Sequence, residues 1–183
     1  MTLNVFLPQG GGYRKLRVYK LVEIICDLTA LFTVKYIPRG SRTRDQMEQA
    51  ARSGKQNIAE GSVASSTSKE TEIKLTNVAK ASLEELLLDY EDYLRQHGLS
   101  QWDKGNPRTA RLRAYVQSDS FMKDPMHYAG IYTAEEYCNL CITLINQTTY
   151  LLRKLIETQQ RQFVEKGGIK ELMYRARTDH RNK

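Results

Sequence analysis

The residues that could carry chemistry are few. Cys138 and Cys141 stand in a C-x-x-C spacing. A zinc or thiol–disulfide role at that spacing needs more: a second ligand pair, or a helix N-terminus with an activating base. The chain holds three cysteines, the third being Cys26, so no second pair exists. Cys141 also falls on an apolar stripe, and the pair reads as core packing. A two-metal carboxylate site in a helical bundle would need Glu three residues before His, so that both ligands leave one turn. Leu94, Asp124 and Arg177 hold those positions before His97, His127 and His180. Gly10-Gly11-Gly12 lacks the Gly-Lys-Ser/Thr ending of a phosphate loop. No His stands near a Ser or Cys motif, so a nucleophilic triad has no support. The expectation is a non-enzyme, without metal or cofactor.

Two polar pairs and two sets of basic residues remain. Asn57 and Glu60 are three apart, as are Ser82 and Glu85, so each pair shares a helix face. They read as a hydrogen-bonded cluster fixing helix register or a subunit boundary, with Arg44 or Arg52 as the ionic partner. Arg14, Lys15, Arg17 and Lys20 flank Tyr13 and Tyr19, and Arg39, Arg42 and Arg44 form a second group. Positive charge beside aromatic faces is how proteins hold nucleic acid without reading its sequence.

These residues must be positioned by helices. The hydrophobic share is 40% and the charged share 27% over 183 residues, which rules out wholesale disorder and fits one domain. No apolar run is long enough to cross a membrane. The few, odd-numbered cysteines suit a reducing cytoplasm. Leu21, Ile25, Leu28 and Phe32 recur at helical steps, and Pro38 and Gly40 end that run. A second helix, capped by Ser41 or Thr43, turns Met47, Ala50, Ala51, Gly54 and Ile58 inward and stops at Gly61. A third starts at Ser68 with the stripe Leu75, Ala79, Ser82, Leu86, Tyr90 and Tyr93. Its four leucines, Leu83, Leu86, Leu87 and Leu88, spread over more than one side, which predicts contact with a second surface. Thr133 caps a fourth, with the stripe Tyr137, Cys141, Leu144, Thr148, Leu151 and Leu155, ending by Gly167-Gly168.

The reading is therefore all-α: an antiparallel up-down four-helix bundle. Its helices span 13–36, 42–60, 68–97 and 133–165. A flexible arm over 1–12 precedes it, an insertion over 99–132 (with a short helix near 107–118) interrupts it, and a basic tail over 167–183 follows. A 24-residue first helix would separate two basic ends by about 36 Å. Arg14, Lys15 and Arg17 would meet Lys166, Lys170 and Arg175 at one end. Arg39, Arg42 and Arg44 would lie near Arg95 and the 108–113 cluster at the other. The formal net charge is +7. Residues 13–60 carry net +5, while 61–100 carry net −3.

Several motifs fall in order: Arg44-Asp45-Gln46-Met47, Ala50-Ala51-Arg52-Ser53, Asn57-Ile58-Ala59-Glu60-Gly61, and Ala79-Lys80-Ala81-Ser82-Leu83-Glu84-Glu85-Leu86. In these the chain resembles the four-helix bundle proteins related to the 23S rRNA intervening-sequence protein. Gly11-Gly12-Tyr13-Arg14-Lys15-Leu16 and Trp102 resemble its four helix bundle suffix domain branch. The resemblance implies an up-down bundle assembling into a ring-like homopentamer without enzymatic activity. It also implies kinship with the accessory variability determinant of retroelements, a basic barrel that binds nucleic acid and a reverse transcriptase. The expected function is RNA or DNA binding by a homo-oligomer through basic patches. The alternative is an assembly scaffold holding a protein partner, with the leucines of the third helix as interface.

Overall fold

The computed structural model describes residues 11–182. Residues 1–10 of the expected arm, and Lys183 at the end of the tail, lie outside the described residues. The described chain is all-helical, with no strand among its residues.

Gly12–Lys15 form one 3-10 turn. Leu16 is then extended (ψ 126°) before α1 begins, at Arg17–Tyr36. The expected continuous helix from residue 13 is thus broken at Leu16. The 20 residues of α1 rise about 30 Å rather than about 36 Å. α2 spans Arg42–Ala64 and α3 spans Lys69–Gln96. α4 is Pro107–Gln117, α5 Asp119–Lys123, α6 Ala134–Lys166 and α7 Ile169–Arg181.

Local chemistry explains most boundaries. The Ser68 hydroxyl accepts from Thr71 N–H (3.1 Å) and opens α3. Thr133 and Glu136 exchange hydrogen bonds in a capping box that opens α6. Ser41 precedes α2, but its side chain makes no capping bond. Gly61 does not end α2, which runs three residues further. A Cβ there would sit 3.3 Å from both Glu72 O and Leu75 Cβ, so this glycine is required by close approach of α3 and not by a left-handed turn.

The four long helices pack pairwise as α1 on α2, α2 on α3, α3 on α6, and α6 on α1. Neighbours run in opposite directions. Gly11 N–H, just before α1, donates to Ser62 O near the end of α2 (3.1 Å). Ser53 meets Ser82 midway along α2 and α3 (2.9 Å). Gln159 late in α6 donates to Thr76 early in α3 (3.1 Å). Tyr137 early in α6 donates to Leu28 O in the second half of α1 (2.9 Å).

Leu21, Ile25, Leu28 and Phe32 are fully enclosed, and Met47, Ala50, Ala51 and Ile58 face them from α2. In α6 the stripe shifts by one position late in the helix: Leu152 is fully buried, while Leu151 and Leu155 are half-buried. Leu83 and Leu86 are in the core, but Leu88 is 62% exposed. The 99–132 segment is built into the same core through Val116, Phe121 and Ala129. Within the expected tail, Ile169–Arg181 form α7, with none of its side chains buried.

Candidate nucleic-acid interface

The basic residues at the start of the chain gather on a built surface. The break at Leu16 lets the Gly12–Lys15 turn fold against α1, where Tyr13 meets Tyr19 edge-on (centroids 4.8 Å apart). The Arg14 guanidinium lies 5.4 Å from the Tyr13 ring centroid, a cation–aromatic contact. Arg14 and Lys20 line one open groove of about 270 Å³ with Tyr19, Glu23, Ile24, Met122 and Pro125. Arg14, Lys15, Arg17 and Lys20 are all exposed, and none is in an ion pair among the described residues. Met122 and Pro125 were not legible as part of this surface. They arrive because the chain after α4 folds back along the first third of α1, a contact between positions about a hundred apart in sequence.

The second basic group is less free. Arg39 and Arg42 are exposed, but Arg44 Nε bonds Glu48 Oε1 (3.0 Å), which also accepts from Thr33 of α1. Arg44 is thereby tied into the α1–α2 junction. Nearby, Lys35 Nζ donates to Gly130 O (3.0 Å) and Tyr132 O (3.3 Å), and Tyr36 OH donates to Tyr132 O (2.6 Å). Arg95 pairs with Asp92 (2.8 Å). Arg108 stands over the Trp102 ring (5.1 Å to its centroid) and approaches Glu135 (4.0 Å). Arg111 and Arg113 face solvent on α4.

The loop carrying Trp102 is pinned by residues that pattern reasoning did not single out together. Buried Asn139 accepts from Trp102 N–H (2.8 Å) and donates to Ser100 O (2.9 Å). Glu135 accepts from the Trp102 indole (2.8 Å) and from Ser100 N–H (3.1 Å). The indole bond, then the Ser100 bond, hold the Glu135 carboxyl below its usual range. Trp102 is therefore a fastening side chain in this arrangement.

The expected polar cluster is only partly assembled. Ser82 and Asn57 are joined through Ser53: Ser53 and Ser82 hydroxyls are 2.9 Å apart, and Asn57 Nδ2 reaches Ser53 Oγ (3.2 Å) and Ser53 O (2.9 Å). Arg52, Glu60 and Glu85 point to solvent outside it, and Arg44 is with Glu48. The reason is geometric: Ser53, Asn57 and Ser82 lie at the seam between α2 and α3, whereas Arg52, Glu60 and Glu85 are turned away from it to the exposed sides of the two helices. Ser53 carried a signal, lying four residues before Asn57 on the same face.

Cys138 and Cys141 are enclosed in the core. Burial pushes the Cys141 thiol up to about 12 and raises Cys138 as well. The Cys26 thiol donates to Ala51 O (3.1 Å) and is pushed up to about 11, chiefly by burial. Such thiols stay protonated and are poor nucleophiles at neutral pH. Among the described residues, no group of three or more His, Cys, Asp or Glu is placed to hold a metal ion. No helix of the described chain is long and apolar enough to cross a membrane. Compared with family models, with curated proteins and with solved structures, the chain matches none.

Proposed function

We propose that this chain is a non-enzymatic, cytoplasmic, homo-oligomeric helical protein that binds RNA or DNA without reading sequence. The observation that carries the reading is the convergence of Arg14 and Lys20 on one groove beside the edge-on Tyr13–Tyr19 pair, with Lys15 and Arg17 exposed next to it. Phosphate charge is met by the cations, and an unstacked base by the half-buried Tyr13 ring and the Arg14 guanidinium, Tyr19 being buried beneath them. In this reading the four long helices form the up-down bundle of the family that the sequence resembles. Copies gather into a ring-like homopentamer, and repetition multiplies a weak patch about fivefold, so avidity makes it effective. Arg39 and Arg42 supply a second, weaker contact, while Arg44 contributes through its field alone.

The test is a salt titration of binding to labelled single-stranded RNA and duplex DNA of mixed sequence, followed by fluorescence anisotropy. Log affinity should fall linearly with log salt, each phosphate contact adding roughly 0.7 to the slope for a single strand and roughly 0.9 for duplex DNA. Arg14→Ala with Lys20→Ala should weaken binding and flatten the slope. Absent binding, or affinity indifferent to salt, overturns the reading. A flat response would instead favour the second reading, a scaffold for a protein partner, for which Leu88 at 62% exposure on α3 is the supporting observation.

A further inference from the structure

The C-terminal helix carries an apolar side that the rest of the chain covers only in part. Ile169, Leu172, Met173 and Ala176 recur at helical steps along α7. Lys170, Arg177 and Arg181 run along one flank of that stripe, at the spacing that keeps side chains on one helix face. On that stripe Ile169, Leu172 and Ala176 are half-buried and Met173 is 45% exposed; no α7 side chain is fully buried.

A surface of matching character lies on α3. Leu88 is 62% exposed. Glu84, Glu85, Glu91 and Asp92 stand three or four residues from it, so they ring it on the helix surface. Residues 81–94 contain five acids and no base. Lys80 pairs with Glu84 (2.7 Å), Arg95 pairs with Asp92 (2.8 Å), and Gln101 donates to Glu91 (2.8 Å). These partners sit at the edges and leave Leu88 uncovered.

The two surfaces cannot meet within one chain. Gly168 lies beside Glu70 at the start of α3. From there Leu88 is 18 residues along the helix, about 27 Å away. The apolar stripe of α7 ends at Ala176, seven residues after Ile169, within roughly 11 Å of its own start. We propose that α7 of one copy docks on the Leu88 face of a second copy, apolar stripe on leucine and basic flank on the acidic ring. This rests on the self-assembly proposed above and names its contact. Because the two surfaces differ, the contact is heterologous, and it repeats from copy to copy until a ring closes.

Two measurements test it on the full chain. First, light scattering gives the native mass of the wild type and of Lys170→Glu/Arg177→Glu/Arg181→Glu. An oligomer is expected for the wild type, and a fall toward the single-chain 21.1 kDa for the variant. A variant that keeps the oligomer mass overturns the contact. A wild type that is itself a single chain overturns self-assembly and the contact together. Second, a chain carrying Leu88→Cys is mixed with one carrying Met173→Cys under mild oxidation, with wild type as the control for the native thiols. A disulfide dimer should form in the mixture and not from either variant alone. An oligomer that gives no cross-link, or Met173→Cys cross-linking equally well to itself, overturns the contact while leaving self-assembly standing.

Discussion

The seam between α2 and α3 and the aromatic end of α1 close helices onto one another with opposite materials. At the seam the contacts are Gly54, Gly61, Ser53, Ser82 and Ala79. A Cβ on Gly54 would stand 3.1 Å from Leu83 Cδ2. At the aromatic end, fully buried Phe32 is surrounded by Tyr36, Tyr90, Tyr93 and Tyr137, with ring centroids 5.0 to 5.5 Å away. Small residues set how close two backbones come, so growth at the seam must displace a neighbour. Large rings fill a volume, so the aromatic end tolerates no loss. The same core therefore has two regions with mirror-image sensitivities.

The largest effect should come from Phe32→Ala, at about 3–5 kcal/mol of stability, because the cavity is walled by rings that cannot collapse into it. Urea denaturation followed by circular dichroism reads it, and a cost under about 1 kcal/mol would mean that the rings repack freely. At the seam, Gly54→Leu should cost about 1–3 kcal/mol through overpacking against Leu83, despite the better helix propensity of leucine. A Tm equal to or above the wild type would show that α2 and α3 can move apart, which would erase the contrast. Tyr90→Phe should cost about 1 kcal/mol, since it removes one core hydrogen bond (3.0 Å to Thr29 Oγ1) without changing volume.

Asp89 sharpens the comparison from outside both regions. Burial, with Glu85 and Asp92 adding repulsion, raises its carboxyl from 3.8 to about 6. The folded state then holds the proton where the unfolded chain releases it, so stability falls as pH rises from about 4 to about 6 and levels off above. Asp89→Asn should flatten that slope and raise Tm more at neutral pH than in acid. A thermal-shift series across that window in which the two proteins run parallel would remove Asp89 as the cause. The smallest effect is expected at Glu60→Ala, within about 0.5 kcal/mol, because the side chain is exposed. A larger loss, accompanied by a lower native mass, would put Glu60 at a boundary between copies.

Much of this was legible because it is local. Ser68 and Thr133 announce helix starts through the residues that follow them, and the α1 stripe Leu21, Ile25, Leu28, Phe32 is a statement about 3.6-residue periodicity. Gly61 shows the limit: a glycine that ends a helix and one that admits a neighbouring helix look alike in sequence. They differ only in what stands 3.3 Å away. Arg44 shows it again: expected as an ionic partner of the Asn57/Glu60 and Ser82/Glu85 cluster, it pairs instead with Glu48 one helical turn away, and Glu60 lies on exposed surface. Residues 99–132 were the hardest, because Pro, Gly and scattered charges encode turns without encoding where the turns lead.

Helix periodicity, end caps and the excess of positive charge are properties of neighbours along the chain, so the sequence alone determined them. The groove shared by Arg14, Lys20, Met122 and Pro125, the fastening of Trp102 by Glu135 and Asn139, and the half-covered face of α7 were decided only by the tertiary structure. Each depends on which distant segments arrive beside one another, and that is settled by the packing of the whole core.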